Sequence, residues 1–227
     1  MPTAQHHHRS IPRFRLVALT IGLMLSAAGC FTGQRPELEP IPVIDDAAAQ
    51  VVMERLDRAG SVTFTATYDI IPSTTGETTQ ATVRQLDDRT RITIGNVDFI
   101  IDRESSRTCR LDDQICVDSI DDARISDLNV THRFWSDGIA ARLSIDAARR
   151  VGFSEGHLET IAGRPAACAD VPVLGGTVVY CALDAGVLAR YFNADVSIEL
   201  TSFTNDVDVT ALDGDPDIDP DSDTGDA

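Results

Sequence analysis

Strict alternation of apolar and polar residues over Ser61–Ile70 constrains the fold of this chain more than any other feature of its sequence. The apolar set is Val62, Phe64, Ala66, Tyr68 and Ile70, and the polar set is Ser61, Thr63, Thr65, Thr67 and Asp69. Successive side chains of a β-strand point to opposite sides, so the pattern predicts a strand with one buried and one hydrated face. A sheet of such strands must bury its apolar face against another layer.

Further strands with short turns predict an antiparallel meander. The turn-forming pairs Asp87-Asp88 and Gly95-Asn96 separate three segments of strand composition, 79–86, 89–94 and 97–102. Strands joined by such short turns run antiparallel. The strand pattern returns at 157–162, 167–171, 177–183 and 196–204. We predict a turn or a single helical turn at 185–192.

Two helical regions are available to cover the apolar face of this sheet. Segment 44–59 has apolar residues at helical spacing, an N-cap at Asp45 or Asp46, and a stop at Gly60. The insert 118–155 loses the period of two and predicts helices at 134–143 and 144–151. The expected fold class is therefore α+β. The sequence leaves open whether the cover packs tightly as a solid core or stands off to leave an apolar cavity.

The N-terminal residues predict an export signal that ends in a lipid anchor. A segment with three arginines and no acid precedes the apolar run 16–29, which is too short to span a bilayer. Residues 27–30 resemble the lipobox of bacterial lipoproteins, although Ala27 stands where leucine is more usual. This resemblance implies that residues 1–29 are removed and that Cys30 is acylated, with palmitate among its chains. The alternative is an ordinary secretory signal in which Cys30 is incidental.

The four remaining cysteines predict disulfide bonds. An even number of cysteines in an exported chain favours disulfides, and the metal-binding C-x-x-C spacing is absent. A turn at Asp112-Asp113 places Cys109 opposite Cys116, and the hairpin around Pro172–Gly176 does the same for Cys168 and Cys181. The sequence favours these local pairs but leaves pairings between the two hairpins open.

Charge and composition bound the partners and divide the chain. The net charge of −17 argues against nucleic-acid binding and against attachment to anionic membranes through a basic patch. Three prolines in residues 30–43 predict an extended tether after the anchor. A domain at 44–205 follows, and the Asp-rich residues 206–227 predict a disordered tail.

The layout of the chain resembles the LppX–LprG group of lipid-carrying lipoproteins, which are similar in fold to LolA and LolB. The stretches SVTFTATYDI, ETIAGRPAACADV and VSIELTSFTNDVDV carry this resemblance, together with the order of anchor, tether, helix, meander and insert. The resemblance implies a curved antiparallel sheet, a half-barrel, with helices over its concave face and acyl chains between the two layers. The candidate cavity residues on the inner surface are Phe64, Tyr68, Ile92, Ile94, Phe99 and Ile101. Trp135 either closes the cavity or anchors a helix to the sheet.

Two functional hypotheses follow from these features. The first is an envelope lipoprotein, anchored to the outer face of a membrane, that binds or transfers a lipid or glycolipid. The second is an interaction or sensory module that has a solid core and presents its surface to another envelope protein. We predict no enzymatic activity, cofactor or metal, because a phosphate loop, an H-E-x-x-H motif and Rossmann glycines are absent. Only His132 and His157 lie outside the leader as candidates for a catalytic triad.

Overall fold

The computed structural model of the chain describes residues 46–149 and 151–213, which all belong to one compact unit. The leader, Cys30 and the tether therefore lie outside the described residues. No helix in the described part is long and apolar enough to cross a membrane. The described residues form a large antiparallel sheet with a few short helices, so the fold is mostly β.

Eleven strands form one sheet in the described residues, and most predicted strands are confirmed. Their bounds are β1 (Phe64–Pro72), β2 (Thr79–Leu86), β3 (Arg89–Ile94), β4 (Val97–Ile101), β5 (Ser106–Arg110), β6 (Ile115–Val117), β7 (Glu155–Ile161), β8 (Arg164–Val173), β9 (Gly176–Leu183), β10 (Leu188–Phe192) and β11 (Val196–Thr204). Segment 185–192, predicted as a turn or helical turn, instead contains β10. The segment lacks the regular alternation of a strand, because the ladder to β9 shifts register between Leu188 and Arg190.

The strand order brings the two ends of the domain together at the middle of the sheet. The order is β6-β5-β4-β3-β2-β1-β11-β10-β9-β8-β7. The chain thus runs outward from β1 to β6, crosses through the insert to the other edge, and returns from β7 to β11. The pairing of β1 with β11 joins the two parts, with Tyr68 opposite Leu200 and Ile70 opposite Ile198.

Helices and 3-10 turns cover one face of this sheet. The α-helices are α1 (Ala47–Leu56), α2 (Asp137–Ala148) and α3 (Thr210–Asp213), and the 3-10 turns are Ala59–Ser61, Asp122–Leu128 and His132–Trp135. Alternate residues of the central strands are buried beneath this cover, as the sequence predicts. The two helices predicted at 134–143 and 144–151 are in fact one 3-10 turn followed by α2. Their apolar residues do not keep one helical period through Ser136, where the backbone leaves the helical region.

Helix α1 begins at Asp46, which is one of the two predicted caps. Its carboxylate accepts a hydrogen bond from the backbone N–H of Ala49 (3.1 Å) and another from the backbone N–H of Ser154 (2.9 Å). The first bond satisfies an unpaired donor of the first helical turn. The second joins the helix to the residue immediately before β7. Ala48 follows the cap and contacts Gly156, where an added Cβ would lie 3.0 Å from the Ala48 methyl group.

The first residues of the predicted tail pack on the sheet. The hydroxyl of Thr65 donates to the carbonyl of Asp206 (2.8 Å), and the guanidinium of Arg91 donates to the carbonyl of Ala211 (2.8 Å). Leu212 is buried. Residues 206–213 are therefore part of the domain, contrary to the prediction of a disordered tail from 206 onward. The high Asp content of this segment concealed the apolar side chain of Leu212, which supplies the buried contact. Residues 214–227 lie outside the described part of the chain.

Candidate binding site

The side chains predicted to line a cavity lie together on the covered face of the sheet. Phe64, Tyr68, Ile92, Ile94, Phe99 and Trp135 are each at most 4% exposed and belong to one hydrophobic cluster, whereas Ile101 is only partly buried at its border. The strand alternation positions the first five, and the 3-10 turn His132–Trp135 positions the tryptophan. We call the space between the sheet and its cover the inner layer.

Aromatic rings fill the middle of the inner layer. The ring centroids of Tyr68 and Trp135 are 5.7 Å apart, and those of Trp135 and Phe134 are also 5.7 Å apart. Phe134 contacts Tyr191 at 4.9 Å, and Tyr191 contacts Tyr180 at 5.2 Å. Such separations are typical of packed aromatic rings. The series runs from β1 through the cover to β10 and β9, within the layer where the resemblance implies acyl chains.

Three of these rings were not predicted as inner-layer residues. Phe134 and Tyr191 belong to segments whose secondary structure was not predicted correctly, so their side-chain directions were unknown. Tyr180 lies in a predicted strand, and it could have been found there. It shares one face of β9 with Val178 and Ala182, and all three are buried where α2 covers the sheet.

Tyrosine hydroxyls attach the inner layer to backbone and helix. The hydroxyl of Tyr68 donates to the carbonyl of Leu188 (3.0 Å), and burial raises the pKa of Tyr68 far above its ordinary value. The hydroxyl of Tyr180 donates to the carboxylate of Asp146 on α2 (2.6 Å). Burial, together with that carboxylate, also raises the pKa of Tyr180. Burial raises the pKa of Tyr191 to about 12. All three phenols therefore remain neutral at physiological pH.

One buried donor in the inner layer has no acceptor. The indole Nε1 of Trp135 is buried and has no hydrogen-bond partner among the described residues. Leaving such a donor unpaired costs free energy, commonly about 1–3 kcal/mol. A surface depression of about 430 Å³ lies over the same part of the cover and includes Phe134 and Arg142 in its lining. Trp135 itself is not among the residues that line this depression.

The two histidines do not form a catalytic triad in residues 46–149 and 151–213. The Nδ1 atom of His132 lies 2.8 Å from the carboxylate of Asp122, and its ring contacts Phe99. This histidine thus connects two parts of the cover to β4. His157 is exposed on β7, with each ring nitrogen 4.0 Å from a carboxylate oxygen, one of Glu159 and one of Asp170. Neither histidine has a serine hydroxyl among its hydrogen-bond partners in this part of the chain.

One serine that was not predicted as a site residue has the spacing of a hydrolase motif. Residues 152–156 read GFSEG and match G-x-S-x-G. In hydrolases this motif forms a sharp turn from a strand into a helix. Here the segment instead follows α2 and leads into β7, and the Ser154 hydroxyl is buried near the carboxylate of Asp46, which the Ser154 backbone N–H also contacts. The local structure therefore does not fit a nucleophile elbow.

A cluster of potential metal ligands is present among the described residues. It consists of His157, Glu159 and Cys168, whose ligand atoms lie within 4.8 Å of one another. The sulfur of Cys168 is bonded to Cys181, so it cannot act as a thiolate ligand. The carboxylate of Glu159 accepts a 2.6 Å hydrogen bond from Arg190. This cluster is therefore better described as a polar surface around a disulfide than as a metal site.

Both favoured disulfides are present in the structure. Cys109 and Cys116 join β5 to β6, and Cys168 and Cys181 join β8 to β9, with 4.0 Å between the Cα atoms of each pair. Each pair is directly opposed in its antiparallel ladder. Two disulfides in a chain of this size are typical of an exported protein. Cys30, the predicted lipidation site, lies outside the described residues.

Comparisons with known proteins find only distant structural similarity. The sequence matches no known protein family and no curated protein. An uncharacterized conserved protein from Thermus thermophilus aligns with 12% identity and a TM-score of 0.44, over 74% of this chain and 93% of that one. MucB aligns with 13% identity and a TM-score of 0.41, over 72% of this chain and 60% of MucB. The Pseudomonas aeruginosa MucA/MucB complex gives 16% identity, a TM-score of 0.37, and coverage of 70% and 57%. Similarity at this level carries no argument about function, and the resemblance to LppX–LprG stays a prediction.

Proposed function

We propose that this chain is an exported binding module of the cell envelope, anchored through acylated Cys30, that acts through its surface and has no catalytic activity. The observation that carries the proposal is the packing of the inner layer. The five aromatic rings between sheet and cover contact one another in series, and two tyrosine hydroxyls bond to Leu188 and Asp146. A layer tied in this way is a solid core that supports a binding surface.

The anchor places this surface on the outer face of a membrane, where another envelope protein is the expected partner. Support comes from the lipobox-like ending at Cys30, the apolar run before it, and the two disulfides. Cys30→Ser tests the anchor. We expect the variant to lose incorporation of labelled palmitate, while a Cys109→Ser and Cys116→Ser double variant retains it. Equal labelling of both would contradict lipidation at Cys30.

A second candidate function is binding of a lipid or glycolipid in a half-barrel, with its acyl chains in the inner layer. The unpaired indole Nε1 of Trp135 favours it, because an ester or amide oxygen of a lipid is a suitable acceptor. An acyl ligand must then separate Trp135 from Tyr68 or Phe134. The lipid hypothesis therefore requires opening of the inner layer.

The fluorescence of Trp135 distinguishes the two functions, because it is the only tryptophan in the chain. The full chain in mild detergent is titrated with a phospholipid that carries bromine on its acyl chains, since bromine quenches indole fluorescence on contact. A solid core predicts quenching no greater than that by bromide in solution, and a native mass without bound lipid. Saturable quenching with one bound lipid per chain would overturn the proposal and support the lipid function.

A further inference from the structure

Strand β7 is an open edge of the sheet within the described residues. It pairs with β8 on one side, and it ends the strand order on the other. The opposite edge strand, β6, has only three residues and is joined to β5 by a disulfide, whereas β7 has seven residues. A long edge with unpaired backbone groups is a template for another strand.

The turn after β7 determines which backbone groups face outward. Ala162 and Gly163 both have positive φ angles, 48° and 72°, and they form a two-residue hairpin turn between Ile161 and Arg164. In such a turn the flanking residues are hydrogen-bonded to each other. Hydrogen-bonded and non-bonded positions then alternate along the ladder. The N–H and C=O groups of Gly156, Leu158 and Thr160 therefore point away from β8.

The side chains of β7 are self-complementary about Leu158. This leucine is 80% exposed, although its side chain is on the covered face of the sheet. His157 precedes it and Glu159 follows it, and both lie on the opposite face of the sheet. Charges on an edge strand normally oppose pairing between strands. Here a two-fold axis through Leu158 places unlike groups opposite each other.

We propose that two copies of this chain pair β7 with β7 in antiparallel register, with the two Leu158 residues opposite each other and His157 of each copy opposite Glu159 of the other. The outward-facing groups of Gly156, Leu158 and Thr160 then match those of Thr160, Leu158 and Gly156 in the second copy. The imidazole of each His157 donates to the facing carboxylate, and the two leucines exclude water on the other face. The interface is isologous, as expected for a symmetric dimer.

Apolar surface next to the edge extends this contact. Phe153, two residues before β7, is 84% exposed. Continuing the register places it beside the turn at Gly163 of the second copy, where the absence of a side chain leaves room for a ring. The net charge of −17 opposes association at long range, but physiological salt screens charges beyond about 8 Å. The local histidine–carboxylate pairs lie within that distance.

The pairing predicts a specific intermolecular cross-link. In the proposed register the Cα atoms of the two Leu158 residues are about 5.5 Å apart, within the range for a disulfide. Leu158→Cys in the full, exported chain should therefore form a covalent dimer on a non-reducing gel under mild oxidation. Glu155→Cys is the matched control on the same exposed strand, because its two copies would be about 20 Å apart. Leu174→Cys, at a 90% exposed position in the β8–β9 hairpin, controls for random collisions.

We expect at least about fivefold more dimer from Leu158→Cys than from either control, given the geometric requirement of a disulfide. Equal cross-linking of the three variants, or none in Leu158→Cys, would overturn the proposed pairing. Sedimentation of the unmodified chain in detergent gives a second measurement that needs no cysteine. A monomer at high protein concentration would contradict the dimer. The same result is expected if another segment of the same chain pairs with the open edge of β7. The dimer proposal rests on the edge strand β7, and the proposed function rests on the inner layer. Either can therefore fail without the other, because the bromolipid experiment tests only the inner layer.

Discussion

Gly186 lies in the turn between β9 and β10, directly against the C-terminal end of α1. Its φ angle is +87°, and an added Cβ would lie 2.8 Å from the carbonyl oxygen of Arg55 and 3.2 Å from the backbone nitrogen of Ala59. Gly186→Ala should lower the free energy of unfolding by about 2–3 kcal/mol, through backbone strain and displacement of the helix. Urea denaturation measures this loss.

Gly175 provides the matched control for this substitution. It has a similar φ angle of +93°, but an added Cβ there would have no heavy atom within 4 Å. Gly175→Ala should therefore cost only the backbone strain, about 1 kcal/mol. Equal effects of the two substitutions would mean that the backbone at the end of α1 does not restrict the space at position 186.

Asp46 gives the domain a stability that depends on pH. Burial alone would raise the pKa of Asp46, but hydrogen bonds from the backbone of Ser154 and Ala49 lower it below its ordinary value. The ionised carboxylate therefore stabilises the fold above the ordinary carboxyl pKa of about 4, and this contribution is lost as the pH falls through the lowered pKa. Asp46→Asn should destabilise the domain by about 1 kcal/mol at neutral pH.

The pH dependence separates this effect from a general loss of packing. Urea denaturation of both proteins at pH 7 and near pH 3 should show a difference that shrinks as the native carboxylate becomes protonated. Asp137→Asn is a control at an exposed carboxylate, whose pKa the guanidinium of Arg133 also lowers. Its effect should be smaller at both pH values, since exposed ion pairs contribute little. A constant difference for Asp46→Asn would contradict the assigned role.

At the scale of elements, a buried hydrogen bond attaches α2 to the sheet. The hydroxyl of Tyr180 on β9 donates to the buried carboxylate of Asp146 on α2. Tyr180→Phe leaves this carboxylate with Arg149 as its remaining ion-pair partner, at 3.3 Å. We expect a loss of about 2 kcal/mol, because a buried charge loses its donor.

Tyr191→Phe is the matched control for this bond, since its ring is also buried in the inner layer. Its hydroxyl accepts a hydrogen bond from the neutral side-chain amide of Asn193, at the partly buried end of β10. We expect a loss below about 1 kcal/mol, measured by thermal unfolding. Similar losses from both variants would mean that ring packing, and not the bond to Asp146, attaches the helix.

The elements that the sequence predicts are those whose burial follows a local period. In β1 and β11 the buried residues alternate, so the pattern identifies both the strand and its face. In β10, Leu188, Ala189 and Tyr191 are all buried, because the register shift breaks the alternation. The cover at 122–135 consists of 3-10 turns, which have no extended apolar period. The inner-layer residues of β10 and of the cover could therefore not be predicted, because these segments have no regular apolar period.

At the scale of the molecule, local patterns predict hairpins but not how they combine. The disulfides could be predicted because each closes within one hairpin, over sequence separations of 7 and 13. The pairing of β1 with β11 joins residues more than a hundred positions apart, such as Ile70 and Ile198. No residue near either strand specifies that contact. The same limit applies to β7, whose exposure becomes visible only when the strand order is known.

The β1–β11 pairing should make the two parts of the sheet unfold as one unit. Ile198 is completely buried, opposite Ile70 on β1 and Tyr191 on β10. Ile198→Ala should lower the free energy of unfolding by about 2–5 kcal/mol, through lost burial and the cavity left behind. Trp135 packs on β1, so its fluorescence reports one part of the sheet, whereas far-ultraviolet circular dichroism reports all the strands. We expect the two transitions to coincide, because the central pairing couples the two parts. Ile115→Ala on β6, where the side chain is half exposed, should cost below about 1 kcal/mol. Separate transitions in the Ile198 variant would mean that each part of the sheet is stable alone and that the central pairing only docks them.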